Sequence, residues 1–140
     1  MSSVEKAQTR LRAMVADQND ALLRRRPPNG TWSCVENVRH MVFAEQVHLG
    51  RFIPGGTEWI SPELPPYTMA DIRESKMVGG HGDVPIRAVL SAWQSLHGMT
   101  RVIAETDTPE IRRAIGRHLK HQQQHIHRVE VLLRGQKLGR

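Results

Sequence analysis

Histidine carries the chemistry in this sequence. Eight are present among 140 residues, and four of them, His118, His121, His125 and His127, fall between Arg117 and Arg128. On a helix, at about 100° per residue, His118, His121 and His125 share an arc of roughly 60°. Ile111, Ala114, Ile115, Val129 and Leu132 lie on the same side, so these three imidazoles should face a core, while His127 points to solvent with Lys120. A buried polar group without a partner costs about 1–3 kcal/mol, and a divalent metal satisfies several such groups at once. His121 and His125 stand at i and i+4, which sets two rings on one helix face at chelating separation. This is the spacing of the H-E-x-x-H zinc proteases, but Gln122, Gln123 and Gln124 occupy the interval. No glutamate stands where such a protease keeps its general base, so that activity is excluded. The competing account is a set of core-edge histidines bonded to backbone carbonyls or to Gln122.

A third ligand must come from another helix, and His40 is the leading candidate. His48 is the weaker choice, about two turns further on and rotated by roughly 80°. His97 and His81 read as structural or solvent-facing. Around the expected triad of His40, His121 and His125, three residues are candidates for orienting ligands. Glu36 stands one turn before His40, His118 shares the inward face of the last helix, and Gln122 lies on its core side. Glu36 has a simpler assignment too, the reciprocal cap S-x-x-E with Ser33. Cys34, rotated roughly 120° from His40, reads as packing. Trp32 reads as an anchor for the helix start. Arg39 and Arg51 are either surface charge or contacts for an anionic substrate.

Four helical patterns must position these groups. The first spans about Val4 to Leu23 and stops at Pro27-Pro28-Asn29-Gly30. The second begins at Ser33, runs to about Phe52 and ends at Pro54-Gly55-Gly56. The third starts with Pro85 as its first residue and carries Ile86, Val89, Leu90, Trp93, Leu96, Thr100 and Ile103 at helical spacing. The fourth is capped by Thr108, begins at Pro109 and runs to about Arg134, with Gly135 as its stop. A long loop, Pro54 to Val84, separates helices two and three, with a short helix expected around Met69 to Val78. The prediction is all-α: one domain over residues 1–140, an antiparallel four-helix bundle.

Composition narrows the classes. The formal charge of +6 and a sequence pI near 10.4 raise nucleic-acid binding. Only Arg24, Arg25 and Arg26 cluster, however, and no basic run is interleaved with aromatics, so no nucleic-acid partner is expected. No apolar run approaches the ~18 residues of a membrane span, and the N-terminus lacks a signal-peptide pattern. The expectation is a cytoplasmic protein with no membrane partner. The single cysteine excludes an internal disulfide and a multi-cysteine zinc site.

Two stretches carry a family resemblance. Trp32-Ser33-Cys34-Val35-Glu36-Asn37-Val38-Arg39-His40 resembles the W-S-x-x-E-x-x-x-H entry into the second helix of DinB/YfiT-like proteins. His121-Gln122-Gln123-Gln124-His125 resembles the H-x-x-x-H of their last helix. The resemblance covers nearly the whole chain and implies a DinB-like four-helix bundle. It also implies that His40, His121 and His125 hold a divalent metal, zinc or nickel, in a cleft. Similar proteins include thiol-dependent transferases using bacillithiol and a mycothiol-dependent maleylpyruvate isomerase, and homodimers are frequent among them. The expected cofactors are therefore the metal and a low-molecular-weight thiol.

Three neutral nitrogen ligands leave an open metal position, as catalytic sites do. The leading function is a metal-dependent thiol S-transferase or hydrolase acting on a small-molecule substrate. Two alternatives differ in class: a non-catalytic bundle stabilised by its metal, and a stress-associated interaction protein whose histidine face is only polar core.

Overall fold

The computed structural model describes residues 3–53 and 85–137. Among them, every regular element is helical: α1 (Ser3–Val15), α2 (Asp20–Arg24), α3 (Cys34–Leu49), α4 (Ile86–Gln94), α5 (His97–Thr106) and α6 (Pro109–Lys137). A 3-10 turn, Gly50–Phe52, follows α3. The connection from Pro54 to Val84, with its expected short helix and with His81, lies outside the described residues.

Two of the four predicted helices are broken, each at polar residues that compete with the backbone. The first, expected to run unbroken to Leu23, stops at Val15 and restarts at Asp20. Asn19 caps the restart, its Oδ1 accepting from the amides of Ala21 (2.9 Å) and Leu22 (3.4 Å). Asn and Asp side chains favour such caps over helix interiors. The third breaks between Gln94 and His97. There the Ser95 hydroxyl donates to the carbonyl of Ser91 at 3.1 Å, and the Leu96 amide reaches back only to Trp93, a bond pattern that bends helices. Pro85 precedes this helix as an extended cap residue, not as its first turn. The free amide of Ile86 in the first turn is satisfied instead by Asp20 Oδ1 at 2.9 Å.

The other termini match their signals. Ser33 and Glu36 form the reciprocal cap of α3, and the Ile111 amide donates to Thr108 Oγ1 at the start of α6. Gly30 closes the turn after α2 at φ +79°, donating its amide to Pro27, a backbone region that glycine enters without cost. Gly135 does not stop α6, which continues to Lys137. Its φ is not positive, and a glycine ends a helix through a left-handed turn.

Helices α3 and α6 run antiparallel: Asn37 meets His125, His40 meets His121, and His48 meets His118. Helix α1 is antiparallel to α5, with Glu5 on Arg101 and Arg12 on His97. The main core joins Leu11, Leu23, Val38, Met41, Trp93, Leu96, Ile126 and Val129. A smaller one joins Leu49, Ile103, Ile111 and Ala114. Fully burying a Leu, Met or Phe side chain stabilises by about 1.5–3 kcal/mol. Helix α3 is buried almost all round, because it packs between neighbours on both sides. A central helix of this kind brings polar side chains into the interior wherever the sequence supplies them.

Candidate metal centre

His40 enters the interior from α3, and His121 and His125 from α6 one turn apart. The Nε2 of His121 lies 3.2 Å from the Nε2 of His40 and 3.2 Å from the Nε2 of His125. One nitrogen from each of the three lies within 4.8 Å of the other two. Tetrahedral zinc with nitrogens at its usual distance would separate neighbouring ligand atoms by about 3.3 Å. The spacing therefore matches a shared cation, and the three-histidine site could bind a metal ion.

The local hydrogen bonds explain why the nitrogens converge. The Asn37 amide nitrogen donates to the Ser33 carbonyl at 2.9 Å. That fixes the orientation of the amide, so Oδ1 faces His125 Nδ1 at 2.8 Å and must accept from it. His125 is then the Nδ1–H tautomer, and its Nε2 presents a bare lone pair to the centre. Helix cap, amide and imidazole form one chain: Ser33, Asn37, His125. The Nδ1 atoms of His40 and His121 are buried without a hydrogen-bond partner among the described residues. A single Nε2–H proton on His121 can point at only one of its two neighbours, whereas a cation pairs with all three nitrogens together.

Burial keeps these rings neutral. Desolvation, followed by the charges of His121, His48 and Arg128, pulls His40 down to about 4. Desolvation, then His40, His121 and Arg128, pulls His125 down to about 3. His121 is lowered by burial, His118 and Arg128. Neutral imidazole is the form that ligates a metal, so no proton has to leave near pH 7.

Trp32 roofs the cluster, its ring centroid 5.2 Å from that of His40 and 6.2 Å from that of His125. Trp32 and Asn37 also form part of the wall of a cavity of about 790 Å³, with Arg128 and Leu132 opposite. The cavity mixes apolar surface with one cation that makes no ion pair among the described residues.

The remaining candidates fall elsewhere. Glu36 is committed to the cap, its Oε1 accepting from the Ser33 amide, and to Arg26, which it holds in a bidentate pair at 2.8 and 2.6 Å. His118 is fully buried, with Nδ1 3.1 Å from His48 Nδ1 and Nε2 3.5 Å from Glu45 Oε1. Gln122 is fully buried, and neither of its amide atoms has a hydrogen-bond partner among the described residues. His97 bonds Arg12, and His127 is exposed. Cys34 is buried in the core, and desolvation raises its thiol to about 11, as packing residues show.

Sequence reasoning missed two residues. Asn37 carried a readable signal: it sits one turn before His40 at the capped start of α3. Glu45 carried none, because its partners come from three other helices. Its carboxylate, fully buried, accepts from Gln8 Nε2 (2.8 Å), Trp93 Nε1 (3.1 Å) and Thr100 Oγ1 (2.9 Å).

No described helix is long and apolar enough to cross a membrane. No curated protein and no solved structure gives a match. A family model does, over residues 3–129, and its description is the DinB superfamily. That span includes His40, His121 and His125, and the chain belongs to the DinB superfamily.

Proposed function

We propose that this protein is a divalent-metal-dependent enzyme of the thiol S-transferase or hydrolase type, acting on a small molecule. The observation that carries the reading is the convergence of three Nε2 atoms from His40, His121 and His125. Three neutral ligands leave the charge of a divalent ion uncompensated and a coordination position open. Zinc and nickel both suit imidazole donors. Bound there, the ion would supply Lewis-acid activation of a thiol or of water.

The chain's own residues supply the rest. Asn37 holds His125 in the tautomer that ligates. Trp32 covers the rings of His40 and His125 and keeps bulk water from that side. The adjoining cavity is large enough for a small organic molecule such as a thiol cofactor, within the usual range of roughly 300–1,000 Å³, and Arg128 gives it a positive wall.

Elemental analysis of untagged protein, wild type beside His121→Ala, tests the reading. Near one equivalent of zinc or nickel in the wild type, lost in the variant, supports it and directs a screen of thiol cofactors against electrophiles. A wild-type protein that takes up no metal after reconstitution refutes it.

A further inference from the structure

A second cavity, of about 400 Å³, opens on the side of the histidine cluster away from Trp32's residues. Val47, His48, Arg51, Ala114 and Arg117 line it. The end of α3 supplies His48, the turn after it supplies Arg51, and α6 supplies Arg117. No acidic residue is in this wall among the described residues. Neither arginine forms an ion pair with a described residue, unlike Arg26, Arg101 and Arg112, which each have a carboxylate partner.

Arg51 is held in place. Its Nε donates to the His48 carbonyl at 3.4 Å, and its guanidinium carbon sits 4.5 Å from the Phe52 ring centroid. Arg117 stands one helical turn before His121, about 6 Å of rise away. The ring centroid of His48 lies 5.4 Å from that of His121. Two exposed guanidinium groups therefore line one concave site, a turn from the cluster, with no carboxylate partner among the described residues. Such a pair repels itself in the free protein and is relieved by an oxyanion, whose geometry guanidinium groups match by paired hydrogen bonds.

We infer that Arg51 and Arg117 form an anion subsite that binds the carboxylate or phosphate group of a small-molecule substrate, with its reacting end directed toward His121. The placement beside the triad rests on the metal-enzyme reading above; the subsite itself does not. It narrows the substrate class to molecules with an oxyanion a few bonds from the reactive atom.

Isothermal titration of the untagged, chelator-treated protein with succinate, and separately with inorganic phosphate, tests the subsite without a metal to coordinate the probe. The wild type is expected to bind at least one probe saturably, one to one. Arg51→Gln and Arg117→Gln should each weaken binding roughly tenfold, and the double variant should abolish it. Arg113→Gln, an exposed arginine on α6 outside this wall, should match the wild type. Affinities of the double variant equal to those of the wild type overturn the inference, as does the absence of saturable binding of either probe. His121→Ala separates the two readings, since it should lose metal and keep anion binding. If elemental analysis finds no metal while the two arginines still govern anion affinity, the metal reading falls and the subsite stands.

Discussion

The interior holds two polar clusters, both reaching into the space between α3 and α6, and they are opposites. Around Glu45, a carboxylate meets three donors from α1, α4 and α5, with His118 of α6 beside it. Around His121, three imidazole nitrogens meet one another. In the first, the protein satisfies the carboxylate itself, although Gln8 Oε1 and His118 Nε2 at its edge have no hydrogen-bond partner among the described residues. The second is a set of lone pairs with too few protons among them, which a cation from outside could complete. Burial alone does not mark a functional site. What marks one is buried polarity that the chain leaves unmatched.

The sharpest way to break the comparison is to remove the centre of the first cluster. Glu45→Ala strands the amide of Gln8, the indole N–H of Trp93 and the hydroxyl of Thr100 in the interior. Losing one partner of a buried charged network costs about 3–5 kcal/mol. Denaturant midpoints followed by far-UV circular dichroism should record this, with a smaller loss for Glu45→Gln, which keeps the shape. If Glu45→Ala were as stable as the wild type while a triad variant such as His40→Ala unfolded, the roles assigned to the two clusters would be reversed.

Next in size is the residue that aims a ligand. Asn37→Ala removes the acceptor that fixes the His125 tautomer but leaves all three nitrogens in place. Metal affinity should fall about 10–100-fold, as it does when the partners of ligands are removed. Competition with a chromogenic chelator measures this, and the helical content should stay at the wild-type level. An unchanged affinity would mean that packing alone orients His125.

A third test uses protons in place of mutations. The folded state holds His40 near 4 and His125 near 3, whereas an unfolded histidine titrates near 6.5. Between these values the unfolded chain binds more protons than the folded one, so stability falls as pH falls. Metal-free protein should lose stability progressively from about pH 6.5 toward pH 4, and added zinc or nickel should oppose the loss where it still binds. Denaturation midpoints across that range give the slope, and His125→Ala should flatten it. A midpoint independent of pH across this window would contradict the burial of neutral rings.

Local signals in the sequence reached the fold well and the site in part. The Ser33–Glu36 cap, the Thr108 cap and the turn at Gly30 are all set by neighbours within four residues, which a sequence displays directly. The same holds for the i, i+4 pair of His121 and His125. The breaks at Asn19 and Ser95 were less visible, because periodicity of apolar residues continues through them while one polar side chain redirects the backbone. Least visible were contacts across helices. Glu45 looks like an ordinary helix glutamate until Gln8, Trp93 and Thr100 arrive from far along the chain. Arg117 looks like surface charge until the turn after α3 brings Arg51 to the same cavity.

The smallest expected effect checks that distinction between identity and placement. His127 is a histidine two residues from His125, and counting residue types would put it in the site. Two positions on a helix, however, rotate a side chain by about 200°, and His127 is exposed while His125 is buried. His127→Ala should leave metal stoichiometry unchanged and stability within about 0.5 kcal/mol, whereas His125→Ala should remove the metal. Equal losses in the two variants would mean that the last helix is rotated from the orientation described, and the convergence of His40, His121 and His125 would have to be abandoned with it.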